Sequence, residues 1–225
     1  MKTSNKILIA LIVFVFGAYA TINAMLYSKI GKGDFVTREQ YESESRQVIK
    51  TEAFSTIELV NCAGVSLHQS DSFYLSVDKS REKQFNYKVE GNKLIITMLD
   101  ADEKKYVPMR VMAKSVSSII LNNSDIYLDD FKSESLEVSA TKNSFFEMLR
   151  GKVDALKLSA QNSTRFELTD ETTIGTIELS LAGVSEFNPN NARISRIKAS
   201  YISDSAKLEL PGRSFKAFAD STNNK

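Results

Sequence analysis

From about Ser135 onward, apolar and charged residues alternate in a pattern that returns. Ser135-Leu-Glu-Val-Ser-Ala140, Ala155-Leu-Lys-Leu-Ser-Ala160, Thr176-Ile-Glu-Leu-Ser-Leu181 and Arg196-Ile-Lys-Ala-Ser-Tyr201 share one form at spacings of 20, 21 and 20 residues. Read downward, they give columns: Leu136, Leu156, Ile177 and Ile197; Val138, Leu158, Leu179 and Ala199; Ser139, Ser159, Ser180 and Ser200. The register continues into Ser144, Thr164, Ser185 and Ser205, then Phe146, Phe166, Phe187 and Leu208, then Met148, Leu168, Pro189 and Leu210. Twenty residues before Ser144, Phe146 and Met148 stand Ser124, Ile126 and Leu128, so a further unit begins near Val116. Alternation such as Leu156-Lys157-Leu158 has the period of two that marks a half-buried strand. Helical repeats need about 33 to 47 residues per unit, whereas about 20 suits one turn of a parallel β-coil. The predicted body is therefore an all-β solenoid whose stacked coils align like residues into interior ladders about 4.8 Å apart.

The preceding region is less regular. Thr56-Ile-Glu-Leu59 with Ala63-Gly-Val-Ser66 echoes Thr176-Ile-Glu-Leu179 with Ala182-Gly-Val-Ser185, so a coil is expected to start at Phe54. Phe73 to Val77, Phe85 to Glu90 and Lys93 to Met98 read as strands, the last two joined as a hairpin through Gly91-Asn92. That hairpin region is expected to cap the solenoid, because an open end exposes strand edges. Asp100 to Lys105 reads as a charged loop, and Val107-Pro108-Met109 leads back into the coils.

Before all of this, Ile7 to Tyr27 runs 21 residues without a charge. As a helix it would span roughly 31 Å, close to the hydrocarbon thickness of a bilayer. Ala18-Tyr19-Ala20 also resembles the cleavage site of a signal peptide. Both readings imply export, and the apolar character that resumes at Ile22, Ala24, Met25 and Leu26 favours an uncleaved anchor. Lysines flank the segment on both sides, so charge bias hardly orients it. No cysteine follows it closely, which disfavours a lipoprotein. The expected organisation is an anchor or signal peptide over 1–27, a polar juxtamembrane linker over 28–50, the solenoid over 51–213 and a polar tail over 214–225.

Composition narrows the chemistry. With 29 basic against 28 acidic side chains the formal charge is +1, so no net field draws the chain to nucleic acid. One cysteine, Cys62, excludes an intramolecular disulfide and a cysteine-rich zinc site; one histidine, His68, excludes most histidine-based centres and triads. The serine columns read as turn-formers at coil corners rather than a sugar-binding stripe, and the phenylalanine column as core rather than a stacking platform. Cys62 reads as a small corner residue, and His68 as a surface or loop residue without a partner motif. Asp129-Asp130 and Asp100 to Glu103 lack the spaced carboxylates and glycine of a calcium loop and read as solvated turns. No catalytic, cofactor-binding or metal-binding residue is assigned.

The recurring Leu-x-apolar-Ser, the opening Phe54-Ser-Thr-Ile-Glu-Leu59, the Gly91-Asn-Lys-Leu94 hairpin and the start Met1-Lys-Thr-Ser-Asn-Lys-Ile-Leu-Ile9 resemble the bacterial "putative auto-transporter adhesin, head GIN domain" family. The resemblance covers nearly the whole chain and implies a right-handed parallel β-helix of the cell envelope, with no assigned ligand or catalytic residue. The turns depart from the family's frequent Ser-Gly-Ala-Ser: Ser139-Ala-Thr-Lys-Asn-Ser144 and Ser159-Ala-Gln-Asn-Ser-Thr164 stand there instead.

Three function classes follow. A non-enzymatic binding, adhesin-like or structural module is favoured, held in the membrane by residues 7–27 with its body on the periplasmic side and an envelope protein or glycan as partner. A carbohydrate-active enzyme needs acids and bases beside a long cradling loop, for which coils of 20, 21 and 20 residues leave no room. A membrane-tethered sensor or lipid-handling partner is the third class; a sensor would want a sizeable cytoplasmic signalling segment, which the six residues before the anchor do not supply, so a partner protein would have to.

Overall fold

A computed structural model of the chain describes residues 3–33, 45–99 and 103–222. The chain divides into two compact units, Met1–Ser45 and Arg46–Lys225. The first contains helix α1, Thr3–Gly31, longer at both ends than the apolar run that predicts it. Its stretch Asn5–Gly31 is long and apolar enough to cross a membrane, by length and composition. Two polar side chains inside it are satisfied along the helix, Thr21 Oγ1 donating to Gly17 O at 2.8 Å and Asn23 Nδ2 to Tyr19 O at 2.8 Å. Neither leaves a bare donor on the apolar surface. Most of the residues expected as the polar linker, 34–44, and the loop residues 100–102 lie outside the described residues.

The second unit is built of strands. They run β1 (Arg46–Lys50), β2 (Thr56–Val60), β3 (Cys62–Gln69), β4 (Tyr74–Asp78), β5 (Phe85–Glu90), β6 (Lys93–Met98), β7 (Lys105–Ala113), β8 (Ser118–Asn122) and β9 (Asp125–Leu128). The series continues as β10 (Phe131–Thr141), β11 (Phe145–Met148), β12 (Gly151–Gln161), β13 (Arg165–Leu168), β14 (Thr172–Ala182), β15 (Glu186–Asn188), β16 (Arg193–Ile202) and β17 (Lys207–Leu208), followed by helix α2 (Gly212–Thr222). They form a nine-stranded sheet ordered β1-β4-β7-β3-β9-β11-β13-β15-β17 and an eight-stranded sheet ordered β16-β14-β12-β10-β8-β2-β6-β5. Pairing is parallel except at the β1-β4-β7 and β6-β5 ends, which are antiparallel.

The expected ladders are present. Leu136 pairs with Leu156, Leu156 with Ile177 and Ile177 with Ile197, and all four are buried. On the other sheet Ile126, Phe146, Phe166 and Phe187 stack as fully buried partners, and Leu208 continues them. Within β10, β12 and β14 the inward parity changes once: Val153 and Leu156 are both buried with two exposed residues between them, and Ile174 and Ile177 are both buried with two partly exposed ones between them. An alternating strand makes that change only by turning a corner, so each long strand supplies two walls of its coil. Gly151 sits where one such coil meets the next: its φ is +144° and an added Cβ would lie 2.0 Å from Phe131 O.

The remaining corners use left-handed residues. Asn61, Asn123, Lys142 and Asn162 have φ between 51° and 58°, and Asn123 Nδ2 donates to Asn61 Oδ1 at 2.8 Å. Beside them Ser124, Ser144, Thr164 and Ser185 are buried. Their hydroxyls donate to carbonyls of their own turns, Ser144 to Thr141 at 2.6 Å, Thr164 to Gln161 at 3.0 Å and Ser185 to Ala182 at 2.7 Å. Cys62 occupies the same corner, its N–H donating to Ser124 Oγ at 3.0 Å.

Several expectations change. β6 is more than the return strand of a capping hairpin: β6 and β7 pair in parallel with β2 and β3 and form a turn outside them. The chain thus lays down β2-β3, adds β6-β7 on one side, and returns to place β8-β9 on the other. The antiparallel cap consists of β1, β4 and β5, with β1 drawn from residues expected in the linker. The two Ala-Gly-Val-Ser stretches are not equivalent. In β3 Val65 points inward and pairs with Ile126, whereas Val184 is 69% exposed and Ser185 is buried. Ser200 leaves its column because a bulge after Leu179 pairs Ser180 with Tyr201. Part of the expected polar tail is helix α2, whose Ser214 and Ala217 are buried and which packs against β16, covering the edge of the last coil.

Candidate functional site

The outward face of the nine-stranded sheet carries a sizeable concavity. One outward row runs Val48, Ser76, Arg110, Ser66, Tyr127, Glu147, Glu167 and Asn188 across successive strands. A second places Tyr74, Met112 and His68 side by side. Where these rows meet the turns after β9 and β11, a groove of 670 Å³ opens, lined by Val48, His68, Gln69, Tyr74, Ser76, Arg110, Met112, Asp129, Asp130, Lys132 and Arg150. It exists because β4 and β1 add antiparallel strands beyond β7, widening the sheet past the stack of short strands.

The turns forming its rim are fixed by specific pairs. Arg150 clamps Asp129 through Nε to Oδ1 at 2.8 Å and Nη2 to Oδ2 at 2.9 Å. That fork holds the Asp129 carboxyl below the usual carboxylate range and raises the guanidinium further above its own. Gln69 binds both backbone groups of Lys132, donating to its carbonyl at 2.7 Å and accepting from its N–H at 2.9 Å. On the floor, His68 Nε2 lies 3.2 Å from Ser66 Oγ. Burial pushes the His68 pKa below its ordinary value, Asp129 acts against that shift and Arg110 adds to it. At the outer edge Arg46 donates to Ser76 Oγ at 2.9 Å and to Ser76 O at 2.8 Å.

The groove therefore offers hydroxyl, amide, imidazole and guanidinium groups beside the ring of Tyr74 and the apolar Met112. Such a set forms hydrogen bonds and stacks against a polar ligand. Its Ser66 hydroxyl and His68 imidazole lie within hydrogen-bond reach of each other, and among the described residues no group of three His, Cys, Asp or Glu side chains could hold a metal ion. A smaller concavity of 380 Å³ farther along the sheet is lined by Lys104, Asp125, Phe145, Arg165 and Glu186 among others. Its charges neutralise one another, Lys104 with Asp125 at 2.5 Å and Lys207 with Glu186 at 3.2 Å.

The residues weighed individually in the sequence fall into place unevenly. His68, read as surface or loop, is half-buried on β3 in the groove wall. Cys62 is buried; its thiol lies 3.2 Å from Val60 O and is pushed up to about 11 by burial, so it is protonated and inert at neutral pH. Asp129 is a turn residue, but one engaged by Arg150 at the rim. Residues 100–102 of the charged loop lie outside the described residues. Sequence reasoning missed Tyr74, Arg110 and Arg150, which come from three separate segments and share no spacing.

Comparison with known proteins bears on this geometry. The family model described as "Putative auto-transporter adhesin, head GIN domain" matches residues 53–210. No curated protein matches the chain. Among solved structures, it is similar to a putative adhesin from Bacteroides fragilis with a TM-score of 0.61 and 13% identity, covering 72% of this chain and 78% of that one. A putative adhesin from Parabacteroides distasonis gives 0.56 and 17%, covering 74% and 72%. A putative lipid binding protein from the same organism gives 0.51 and 14%, covering 72% and 80%. At these identities the likeness is one of fold.

Proposed function

The chain belongs to the putative auto-transporter adhesin, head GIN domain family, and from that premise we propose that it is a membrane-tethered binding module of the bacterial envelope that holds a polar glycan in the groove of its nine-stranded sheet. α1 is the uncleaved anchor and the β unit faces the periplasm. The body, from about residue 51 to 213, is a right-handed β-helix with coils of about 20 residues. Partners separated by 20 or 21 positions support the coil length, and the strong preference of parallel crossovers for one hand supports the handedness.

The observation that carries the ligand class is the lining of the 670 Å³ groove: Tyr74 beside His68, Gln69, Ser76 and Arg110. Saccharides are bound by such mixtures of a ring face with planar donors and acceptors. The full chain in detergent, titrated with fractionated envelope polysaccharides, is expected to bind at least one fraction and return it unchanged. Tyr74→Ala and Arg110→Ala are each expected to weaken that binding about tenfold, roughly one lost stacking or charge-assisted contact. Binding indifferent to both substitutions would move the ligand elsewhere, and a shortened polysaccharide would make the protein an enzyme. Protease added to spheroplasts is expected to remove the β unit while sparing α1.

A further inference from the structure

The opposite face of the molecule carries a second pattern. On the outward side of the eight-stranded sheet, Glu137, Lys157, Glu178 and Lys198 are register partners in one straight row. The signs alternate strictly. Lys157 bonds Glu137 at 2.9 Å while the two side chains stay 51% and 48% exposed, so the row remains open to solvent. Next to it runs a flatter row of Ile120, Ser139, Ser159, Ser180 and Tyr201, with Tyr201 at 55% exposure standing proud at one end.

From this charge order we infer that the face is an isologous docking surface for a second copy of this chain. A two-fold axis in the plane of the face and parallel to the strands reverses the order of the coils and leaves position along the strand unchanged. Centred between β12 and β14, it sets Glu137 against Lys198 of the other copy and Lys157 against Glu178, twice each. Every facing pair is then of opposite sign. The same operation lays Tyr201 over Ser139 and Ser159 over Ser180, so the one large side chain meets a small one. Four overlapping strands, β10 to β16, at about 4.8 Å and seven residues at about 3.3 Å give a shared face of roughly 19 by 23 Å. Across two copies that is about 900 Å², below the roughly 1,000 Å² of a stable specific interface and in the range of a transient one. The dimer is therefore a weak, concentration-dependent one. Sliding the copies by one coil brings like charges together, so the row sets the register as well as the partner.

Two differently tagged forms of the full chain, co-expressed and purified in detergent, test this. Wild type is expected to capture wild type. A variant with all four signs inverted, Glu137→Lys, Lys157→Glu, Glu178→Lys and Lys198→Glu, is expected to capture itself but to capture wild type at least tenfold less. Should that variant misfold, the single substitutions serve: Lys157→Glu and Glu178→Lys each self-associate at least fivefold more weakly than wild type, and the two recover association when mixed. Capture that ignores the charge pattern, as association through α1 alone would give, overturns the inference, and so does monomeric wild type at high micromolar concentration.

Discussion

Residues 131 to 188 and residues 46 to 128 are made of the same strands but joined differently. In the later stretch each strand pairs with one 20 or 21 positions away, as Leu136 with Leu156 and Phe146 with Phe166. In the earlier stretch β2 pairs with β6 across 37 positions and with β8 across 62. Regular stacking leaves the outer face nearly flat, because every coil repeats its neighbour's wall. Irregular connection produces the extra strands β1 and β4 and, with them, the concavity. In this molecule periodicity builds a support, and departure from periodicity builds the groove.

That contrast makes unequal deletions the sharpest experiment. Removing residues 151–171 joins Arg150 to Thr172, the register partner of Gly151, and lets Leu136 meet Ile177. The shortened chain is expected to fold and unfold cooperatively at a lower Tm, as repeat arrays do. Removing residues 93–113 takes away β6 and β7, strips β2 and β3 of one neighbour each, leaves β5 unpaired and cuts the β1-β4 pair off from the sheet; the soluble folded fraction is expected to vanish. Equal tolerance of both deletions, measured by circular dichroism and urea unfolding, would erase the distinction.

Point substitutions probe it at smaller scale. Phe166 lies fully buried between Phe146 and Phe187, and Phe166→Ala is expected to cost about 3–5 kcal/mol in urea unfolding. Gly151→Ala forces a side chain onto Phe131 O, a backbone atom that cannot step aside, and is expected to cost at least about 2 kcal/mol. Gly64, in the irregular half, also has positive φ, but the atoms nearest its missing Cβ belong to the ring of Tyr106, itself 65% exposed and able to swing out. Gly64→Ala is expected to cost less than Gly151→Ala, about 1 kcal/mol. Lys142 occupies a left-handed corner whose counterparts are Asn123 and Asn162, and Lys142→Asn is expected to stabilise by about 0.5–1 kcal/mol.

The smallest effect belongs to pH. His68 has a folded pKa below its ordinary 6.5, so the unfolded chain takes up the proton first. Its contribution to stability is complete above about 6.5 and declines as pH falls from there toward the folded value. His68→Gln is expected to flatten the Tm profile over that window and leave Tm unchanged at pH 8. An unchanged slope would mean that the imidazole titrates as freely in the groove as in water.

What could be read from the sequence follows from the same division. The columns through Leu136 and Phe146 were legible because each residue is repeated in chemistry, spacing and parity by its neighbours. The place of β6 and β7 was not, since a pairing across 37 residues leaves no period to detect. The Ala-Gly-Val-Ser echo misled, because identical letters fell in a strand at Val65 and in a corner at Val184. α2 was hidden by its charges: Arg213 and Lys216 mask the short inward stripe of Ser214 and Ala217. The groove left the least trace. Tyr74, Arg110, Asp129 and Arg150 are gathered by topology alone, and only His68 and Asp129 stood out beforehand, for other reasons.

Arg46 has a mechanical consequence. It is the first residue of β1, the edge strand of the nine-stranded sheet, and everything N-terminal to it leads to α1. Tension on the tether enters the β unit at this residue. There the guanidinium grips Ser76 O and Ser76 Oγ, with Pro108 O at 3.5 Å, so the load spreads over β4 and β7 before it can peel β1 away. If β1 does yield, it takes with it Val48, one wall of the groove, while the ladders from Leu136 to Ile197 stay unloaded. The groove is wired to the strap that leads away from it: a pull hard enough to free the edge strand opens the groove before it breaks the ladders.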